Sequence, residues 1–184
     1  ALLTWLPTYF HRMDGISMSR AGVKGGLVML LAIVGAPLGG FLADKWFKRR
    51  INGRLLFVSL SSTISFVLMV AAFAFSSGAF QYVCLLLGGI SAAAFVPGAA
   101  AVTQDVVHPG LRAVSYSFCV IVQHVLGSAL GPIFVGFISD RHGIDTALIL
   151  LPFAYLVAAG MFFSGSFFYR QDLEKAEKAV LEVE

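Results

Sequence analysis

Four long stretches of this chain contain almost no charged residue. Asp, Glu, Lys, Arg and His are missing from 25–43, 55–104 and 146–169, and from 113–139 except for His124. A helix needs about 20 apolar residues to cross the roughly 30 Å hydrocarbon core of a bilayer. The stretches therefore predict membrane-spanning helices. The stretch 55–104 is long enough for two of them, with a turn at Ser76-Ser77-Gly78 near its middle.

The composition excludes several classes of protein. Hydrophobic residues make up 58% of the 184 residues and charged residues 12%, against roughly 45–50% and 25% in a soluble domain. A water-soluble domain and a nucleic-acid-binding protein are therefore not expected. Cys84 and Cys119 lie in apolar runs without neighbouring metal ligands, so neither a metal site nor a cofactor is predicted. The apolar runs also lack the alternation of a membrane β-barrel.

We therefore predict an all-α membrane protein with six transmembrane helices in one bundle. The predicted helices cover approximately 1–11, 20–43, 54–76, 80–104, 113–138 and 146–169, and together form a domain over 1–169. The first is too short to span a bilayer and the chain starts with Ala1. We therefore expect a fragment cut within a helix, with no visible signal peptide. Residues 170–184 are expected to form an amphipathic cytoplasmic tail.

The distribution of Lys and Arg predicts the orientation of the bundle. The loops after the second and fourth helices and the tail together carry nine of these residues, and the other loops carry four. Positively charged loops are retained on the cytoplasmic side of a membrane. Both ends of the chain are therefore predicted to be cytoplasmic.

Two helix ends carry related sequences 96 residues apart. Gly40-Phe41-Leu42-Ala43-Asp44-Lys45 matches Gly136-Phe137-Ile138-Ser139-Asp140-Arg141 in its pattern. Because the two helices are three apart, the copies lie on opposite sides of the membrane. This arrangement predicts an inverted 3+3 repeat, as in many secondary transporters. Chance recurrence is the alternative, since membrane helix ends use few residue types.

The segment 40–50, GFLADKWFKRR, resembles the signature loop of the major facilitator superfamily. Phe47 departs from it, because the usual pattern has a second glycine there. The resemblance covers nearly the whole chain and implies the C-terminal six-helix half of a transporter. Its implied partners are the missing N-terminal half, the lipid bilayer and a small-molecule or lysolipid substrate.

Further sequence similarities point to one branch of that superfamily. The run 5–10, WLPTYF, and the run from Val107 through Gln123-His124 to Asp140 resemble the spinster-like branch. That resemblance implies transport of a lysolipid or a related amphipathic anion. The opening run also resembles organic-anion symporters, which leaves a small organic anion as the second candidate.

The signature loop suggests how the transporter changes state. Asp44 at a helix end could pair with Arg112 and latch one conformation of an alternating-access cycle. The alternative is that Asp44 only caps a helix, and that the basic residues set topology or contact anionic lipid headgroups. The predicted gating set is Gly40, Asp44, Lys48, Arg49, Arg50 and Arg112, with Gly136, Asp140 and Arg141 as its repeat counterpart.

His124 is the only ionisable residue within a predicted span. Such a residue is costly unless it faces a cavity or a partner, so it could contact substrate or couple transport to protons. A neutral histidine hydrogen-bonded to another helix is the alternative. Trp5, Thr8 and Tyr9 share one face of the first helix, where they could line a cavity or anchor the helix at the interface. The cavity candidates are Thr4, Trp5, Thr8, Tyr9, Arg12, Gln123 and His124.

The sequence favours a secondary active transporter over two other classes. An intramembrane enzyme needs paired carboxylates, a nucleophile with its base, or metal ligands within reach of one another. The spans offer only His124. A channel can be lined by small residues and backbone, so saturable, gradient-driven uptake is needed to separate it from a carrier. The spacing Gly35-x-x-x-Gly39 predicts close helix packing in either case.

Overall fold

The computed structural model describes residues 2–75 and 78–181, and helices make up nearly all of this part. No strand occurs in these two ranges. The predicted all-α membrane fold is confirmed. The helices are α1 (Leu2–Met13), α2 (Met18–Arg49), α3 (Gly53–Val70), α4 (Gly78–Asp105), α5 (Arg112–Val122), α6 (Leu130–His142), α7 (Ile144–Leu150), α8 (Phe153–Gly165) and α9 (Tyr169–Leu181).

The described residues form five segments that are long and apolar enough to cross a membrane. They are Met18–Arg49, Gly53–Ala74, Gly78–Asp105, Pro109–His142 and Ile144–Gly165. A π-helical stretch, Gln123–Ala129, joins α5 to α6, and a turn at 151–152 joins α7 to α8. The helix α2 continues six residues past the predicted apolar span, because charged side chains at its end can remain helical in water.

Small residues bring α2 and α4 into close contact. Gly35 lies against the backbone of Ile90, and Gly39 lies against the backbone of Ala94. A Cβ atom at either glycine would overlap a carbonyl oxygen of α4. Lipid tails provide no hydrophobic driving force between helices, so such close van der Waals packing holds the pair together. The predicted close approach at Gly35 and Gly39 is therefore present.

The helix ends form two groups at opposite ends of the bundle. At one end Arg54 binds both Asp44 and Asp105, so the end of α2, the start of α3 and the end of α4 meet there. At the other end the Tyr82 hydroxyl donates to the Lys24 carbonyl at 3.0 Å, and α7 packs against 71–75. The helix α6 ends there, with Gly143 as the one residue between it and α7. Its Asp140 therefore lies opposite Asp44, as the inverted repeat requires.

Two parts of the bundle leave apolar side chains uncovered. Residues 121–130 are all exposed, and α2 exposes many large apolar side chains. An uncovered apolar surface of this size is typical of contact with lipid or with another protein. The largest of these side chains include Leu30, Ile33, Phe41, Phe118, Leu126 and Ile133.

Candidate functional site

Arg54 connects two carboxylates at one end of the bundle. Its Nε and Nη2 donate to Asp44 Oδ1 at 3.0 and 2.7 Å, and its Nη1 donates to Asp105 Oδ2. The Tyr169 hydroxyl donates to the same Asp105 oxygen at 2.5 Å. This group of four residues, the Arg54 cluster, therefore links α2, α3, α4 and α9. A rearrangement of any one of these helices changes the contacts of the others.

A tight turn between α2 and α3 positions Arg54. The Gly53 amide donates to the Arg50 carbonyl at 2.8 Å. A Cβ atom on Gly53 would overlap the Trp46 carbonyl, so glycine permits the close approach of the two helices. The turn directs Arg54 back toward Asp44, ten residues earlier in the chain.

The two arms of the cluster differ in burial. The side chains of Arg54 and Asp105 are 15% and 22% exposed, whereas Asp44 is 57% exposed. Solvent screens the Asp44 arm, so the Arg54–Asp105 arm contributes more of the stabilisation. The Arg54 guanidinium also lies 4.2 Å from the centre of the Phe47 ring. Phe47, which replaces the second glycine of the usual signature pattern, thus packs against the Arg54 cluster.

Burial and the hydrogen bond to Asp105 raise the pKa of Tyr169. The hydroxyl therefore keeps its proton at neutral pH and acts as the donor to the carboxylate. This bond fixes the first residue of α9 to the end of α4. The adjoining loop is held as well, because Asn52 Nδ2 donates to the Ser166 carbonyl at 3.0 Å.

The expected pairing of Asp44 with Arg112 is wrong in this structure. Arg54 forms that pair, because the short turn after α2 brings it next to Asp44. Arg112 lies at the start of α5, is exposed, and has no carboxylate partner among the described residues. Sequence reasoning missed Arg54, Asp105 and Tyr169. A usable signal existed, since Arg54 and Asp105 flank the charge-free stretch 55–104, whose two helices are antiparallel.

A groove between α4 and α5 begins beside the Arg54 cluster. Its first part, a cleft of about 380 Å³, is lined by Arg54, Gln104, Asp105 and Arg112. Its second part, about 220 Å³, is lined mainly by apolar side chains, including Phe95, Val96 and Phe162. Ala100 and Tyr116 line both parts, so they form one continuous α4–α5 groove. One end carries the guanidinium of Arg112, unpaired in the described part of the chain, beside the Arg54 cluster, and the other end is apolar.

The two polar candidates of the fifth segment lie in different surroundings. Gln123 lines the apolar part of the α4–α5 groove. His124 does not line it; its side chain is exposed and has no hydrogen-bond partner among the described residues. Both belong to the π-helical stretch Gln123–Ala129. Such stretches are often found at functional sites.

The face of α1 that carries Trp5 and Tyr9 packs into the bundle. Tyr9 is 5% exposed and its hydroxyl accepts a hydrogen bond from Gln81 Nε2 at 2.8 Å. Trp5 lies against Gly136, and its buried Nε1 has no partner among the described residues. Neither side chain points into the α4–α5 groove. Of the other α1 candidates, Thr8 is half-buried, while Thr4 and Arg12 are exposed.

The remaining signature residues have no ion pair in the described part of the chain. Lys48, Arg49 and Arg50 are exposed at the end of α2, and Gly40 lies 3.5 Å from the Pro97 side chain, measured from an ideal Cβ position. In the repeat copy, Gly136 packs against Trp5, Asp140 is exposed and Arg141 stacks on Phe137 at 4.1 Å. The counterpart of the Arg54 cluster is therefore not formed around Asp140.

Comparison with known proteins places these features in a family. The family model described as Major Facilitator Superfamily matches residues 1–132. The sphingosine-1-phosphate transporter SPNS2 of Xenopus tropicalis is 27% identical over 97% of this chain and 40% of its own length. Protein spinster homolog 1 of Xenopus laevis is 25% identical over 96% of the chain and 39% of its length. The probable sulfoacetate transporter SauU of Cupriavidus necator is 34% identical over 46% of the chain.

A solved structure shares the fold. It is the inward-facing, occupied form of a bacterial homolog to the human lysosomal transporter Spinster. The two superpose with a TM-score of 0.81 and 19% sequence identity, covering 93% of this chain and 46% of that one. This chain spans about 40% of the length of the first two curated relatives.

Proposed function

The chain belongs to the major facilitator superfamily, and from this premise we propose that it forms one six-helix half of a secondary active transporter that works by alternating access. The resemblance drawn from the signature loop is confirmed by the family match. The chain is an integral, multi-pass membrane protein. Membership of this superfamily also argues against the alternative that the chain is an intramembrane enzyme.

A second six-helix half is the proposed partner of this chain. The uncovered apolar side chains of α2 and of the fifth segment support this assignment, because extensive exposed apolar surface marks contact with another protein or with lipid. The chain covers about 40% of the length of the two spinster-like relatives, which is close to one half of a carrier built from two halves. In the proposed orientation the Arg54 cluster and both ends of the chain are cytoplasmic, as the Lys and Arg distribution indicates.

We infer that the substrate is an amphipathic anion such as a lysolipid. The observation that carries this inference is the α4–α5 groove, which presents Arg112 at one end and apolar walls at the other. An arginine without a carboxylate partner can donate two hydrogen bonds to a phosphate or a carboxylate. The apolar part can bury a hydrocarbon chain. The similarity to a sphingosine-1-phosphate transporter supports the same substrate class.

Replacing Arg112 with Gln tests the anion-binding end of the groove. We expect the KM for a lysophospholipid to rise roughly tenfold, because a charge-assisted hydrogen bond contributes about 1.5–3 kcal/mol. Maximal uptake should change less. The matched control is Arg20→Gln, which removes an exposed arginine at the opposite end of the bundle. Equal KM values in the Arg112 variant and the parent would remove this end of the groove from the substrate path.

We propose that His124 couples transport to protons. Its support is position: it is an ionisable side chain within the apolar segment Pro109–His142, on the uncovered face where the second half would lie. We expect His124→Ala to flatten the pH dependence of uptake. His142→Ala is the control, since that histidine lies at a helix end. An unaltered pH profile in His124→Ala would contradict the proposal.

A symporter for small organic anions is the second candidate. The specific observation that favours it is the identity of 34% to a probable sulfoacetate transporter over 89 residues. The part of the groove that Arg112 lines could hold such an anion without use of the apolar part. Uptake of substrates that share a headgroup but differ in chain length distinguishes the two candidates. Only the lysolipid hypothesis requires a long acyl chain.

A further inference from the structure

A cationic pocket lies at the turn between α2 and α3, apart from the α4–α5 groove. It is a cleft of about 270 Å³ lined by Trp46, Arg49, Arg50, Gly53 and Leu56. Both arginine side chains are exposed, and neither has a carboxylate or carbonyl partner among the described residues. Arg54, one turn further on, is by contrast fully engaged by Asp44 and Asp105. The pocket therefore concentrates two unneutralised guanidinium groups.

The pocket lies at the turn between two helices that are long and apolar enough to cross a membrane. Met18–Arg49 ends there, six residues after its charge-free stretch, and Gly53–Ala74 begins there. Trp46 is half-buried and stacks edge-on against Phe57 at 5.8 Å between ring centroids. A tryptophan with one apolar side and one wet side is typical of the headgroup region of a bilayer.

An apolar stripe leads from the pocket along α3. Leu56 lines the pocket, and Leu60, Ile64 and Val67 follow at helical spacing. These three side chains are 45%, 42% and 56% exposed. A molecule with its anionic group at the arginines could therefore lay an acyl chain along α3, in the hydrocarbon layer. A free phosphate ion would gain nothing from this stripe.

We propose that this pocket binds the phosphate group of an anionic membrane phospholipid. Two donor arginines match the phosphate, the tryptophan lies at headgroup depth, and the α3 stripe accepts the acyl chain. The lipid holds the turn whose Gly53 amide bonds to Arg50 and whose next residue is Arg54. Bound lipid thus stabilises the turn that positions the Arg54 cluster. This role is separate from substrate transport through the α4–α5 groove.

The test is the binding of phosphatidylglycerol to the complete transporter, measured by native mass spectrometry in detergent. The double variant Arg49→Gln/Arg50→Gln should bind phosphatidylglycerol roughly 10- to 30-fold more weakly than the parent, because it removes the charge-assisted hydrogen bonds that the two pocket arginines would donate to the phosphate. The matched control Lys45→Gln/Lys48→Gln removes the same charge from the same helix end without touching the pocket. It should weaken binding less than about threefold, because these lysines do not line the pocket and lose no hydrogen bond to the phosphate.

Three further binding measurements complete the test. Arg49→Lys/Arg50→Lys keeps the charge and should retain most of the binding, which shows that the Gln variant did not simply unfold. Phosphatidylcholine should bind equally to the parent and to the Gln variant. Inorganic phosphate at millimolar concentration should not displace phosphatidylglycerol. Equal losses in the arginine and lysine variants, or full displacement by inorganic phosphate, would overturn the proposal.

Discussion

Replacing Arg54 with Gln is expected to lower uptake by the complete carrier at least tenfold and to destabilise this half by about 2–3 kcal/mol. The substitution leaves Asp105, which is 22% exposed, without its cation, and leaves Asp44 facing the same space. Uncompensated charge at a partly buried site costs more than the ion pair contributes. Thermal unfolding in detergent and uptake in proteoliposomes measure the two effects.

The exposed ion pair between Arg170 and Glu174 provides the control for the Arg54 variant. Arg170→Gln removes a pair with Glu174 whose two side chains are 70% and 57% exposed, so its effect on stability should be close to zero. Asp44→Asn tests whether the Arg54–Asp44 pair is the conformational latch, in place of the expected pair with Arg112. It should shift the ratio of inward to outward labelling, since this ion pair ties α2 to α3. An unchanged ratio in both the Arg54 and Asp44 variants would contradict the latch.

Replacing Gly39 with Val is expected to destabilise the bundle by about 3 kcal/mol, at the upper end of overpacking effects. A Cβ atom at this position overlaps the backbone of Ala94, and backbone cannot move aside as a flexible side chain can. The helices α2 and α4 would have to separate, and the groove wall that α4 provides would move with them. Size-exclusion chromatography and thermal unfolding measure the loss.

The chain offers a matched control for this substitution. Gly26 is on the same helix, and an added Cβ there meets no atom within 4 Å outside its own helix. Gly26→Val therefore changes helix propensity without the clash, and stability should stay the same or rise slightly, because valine is a better helix former than glycine. If both valine variants lowered the unfolding temperature equally, close packing of α2 on α4 would not be the cause.

Much of the fold follows from the sequence because a membrane imposes a strong constraint. A span must be long and free of charge, so the gaps at 25–43 and 55–104 already indicate helices over these residues. The spacing of Gly35 and Gly39 likewise indicates a packing face, because only small residues let two backbones meet. These inferences need only local information.

The pairing within the site needs information about neighbouring helices. Asp44 could meet any cation at the same membrane side, and the sequence alone does not distinguish Arg54 from Arg112. The choice depends on the two-residue turn before Gly53 and on the antiparallel packing of α3 and α4. Tyr169 joins the cluster only because the last segment returns to the same end. For the same reason Tyr9, a cavity candidate by helical spacing, lies in the core against Gln81.

The most direct test of the account is uptake of a labelled lysophospholipid by proteoliposomes that contain the complete two-half transporter, with and without a proton gradient. We predict saturable uptake that follows the gradient, with competition by lysolipids that strengthens as the acyl chain lengthens. Non-saturating flux would indicate a channel. Inhibition by short organic anions, with no effect of chain length, would contradict the role of the apolar part of the α4–α5 groove.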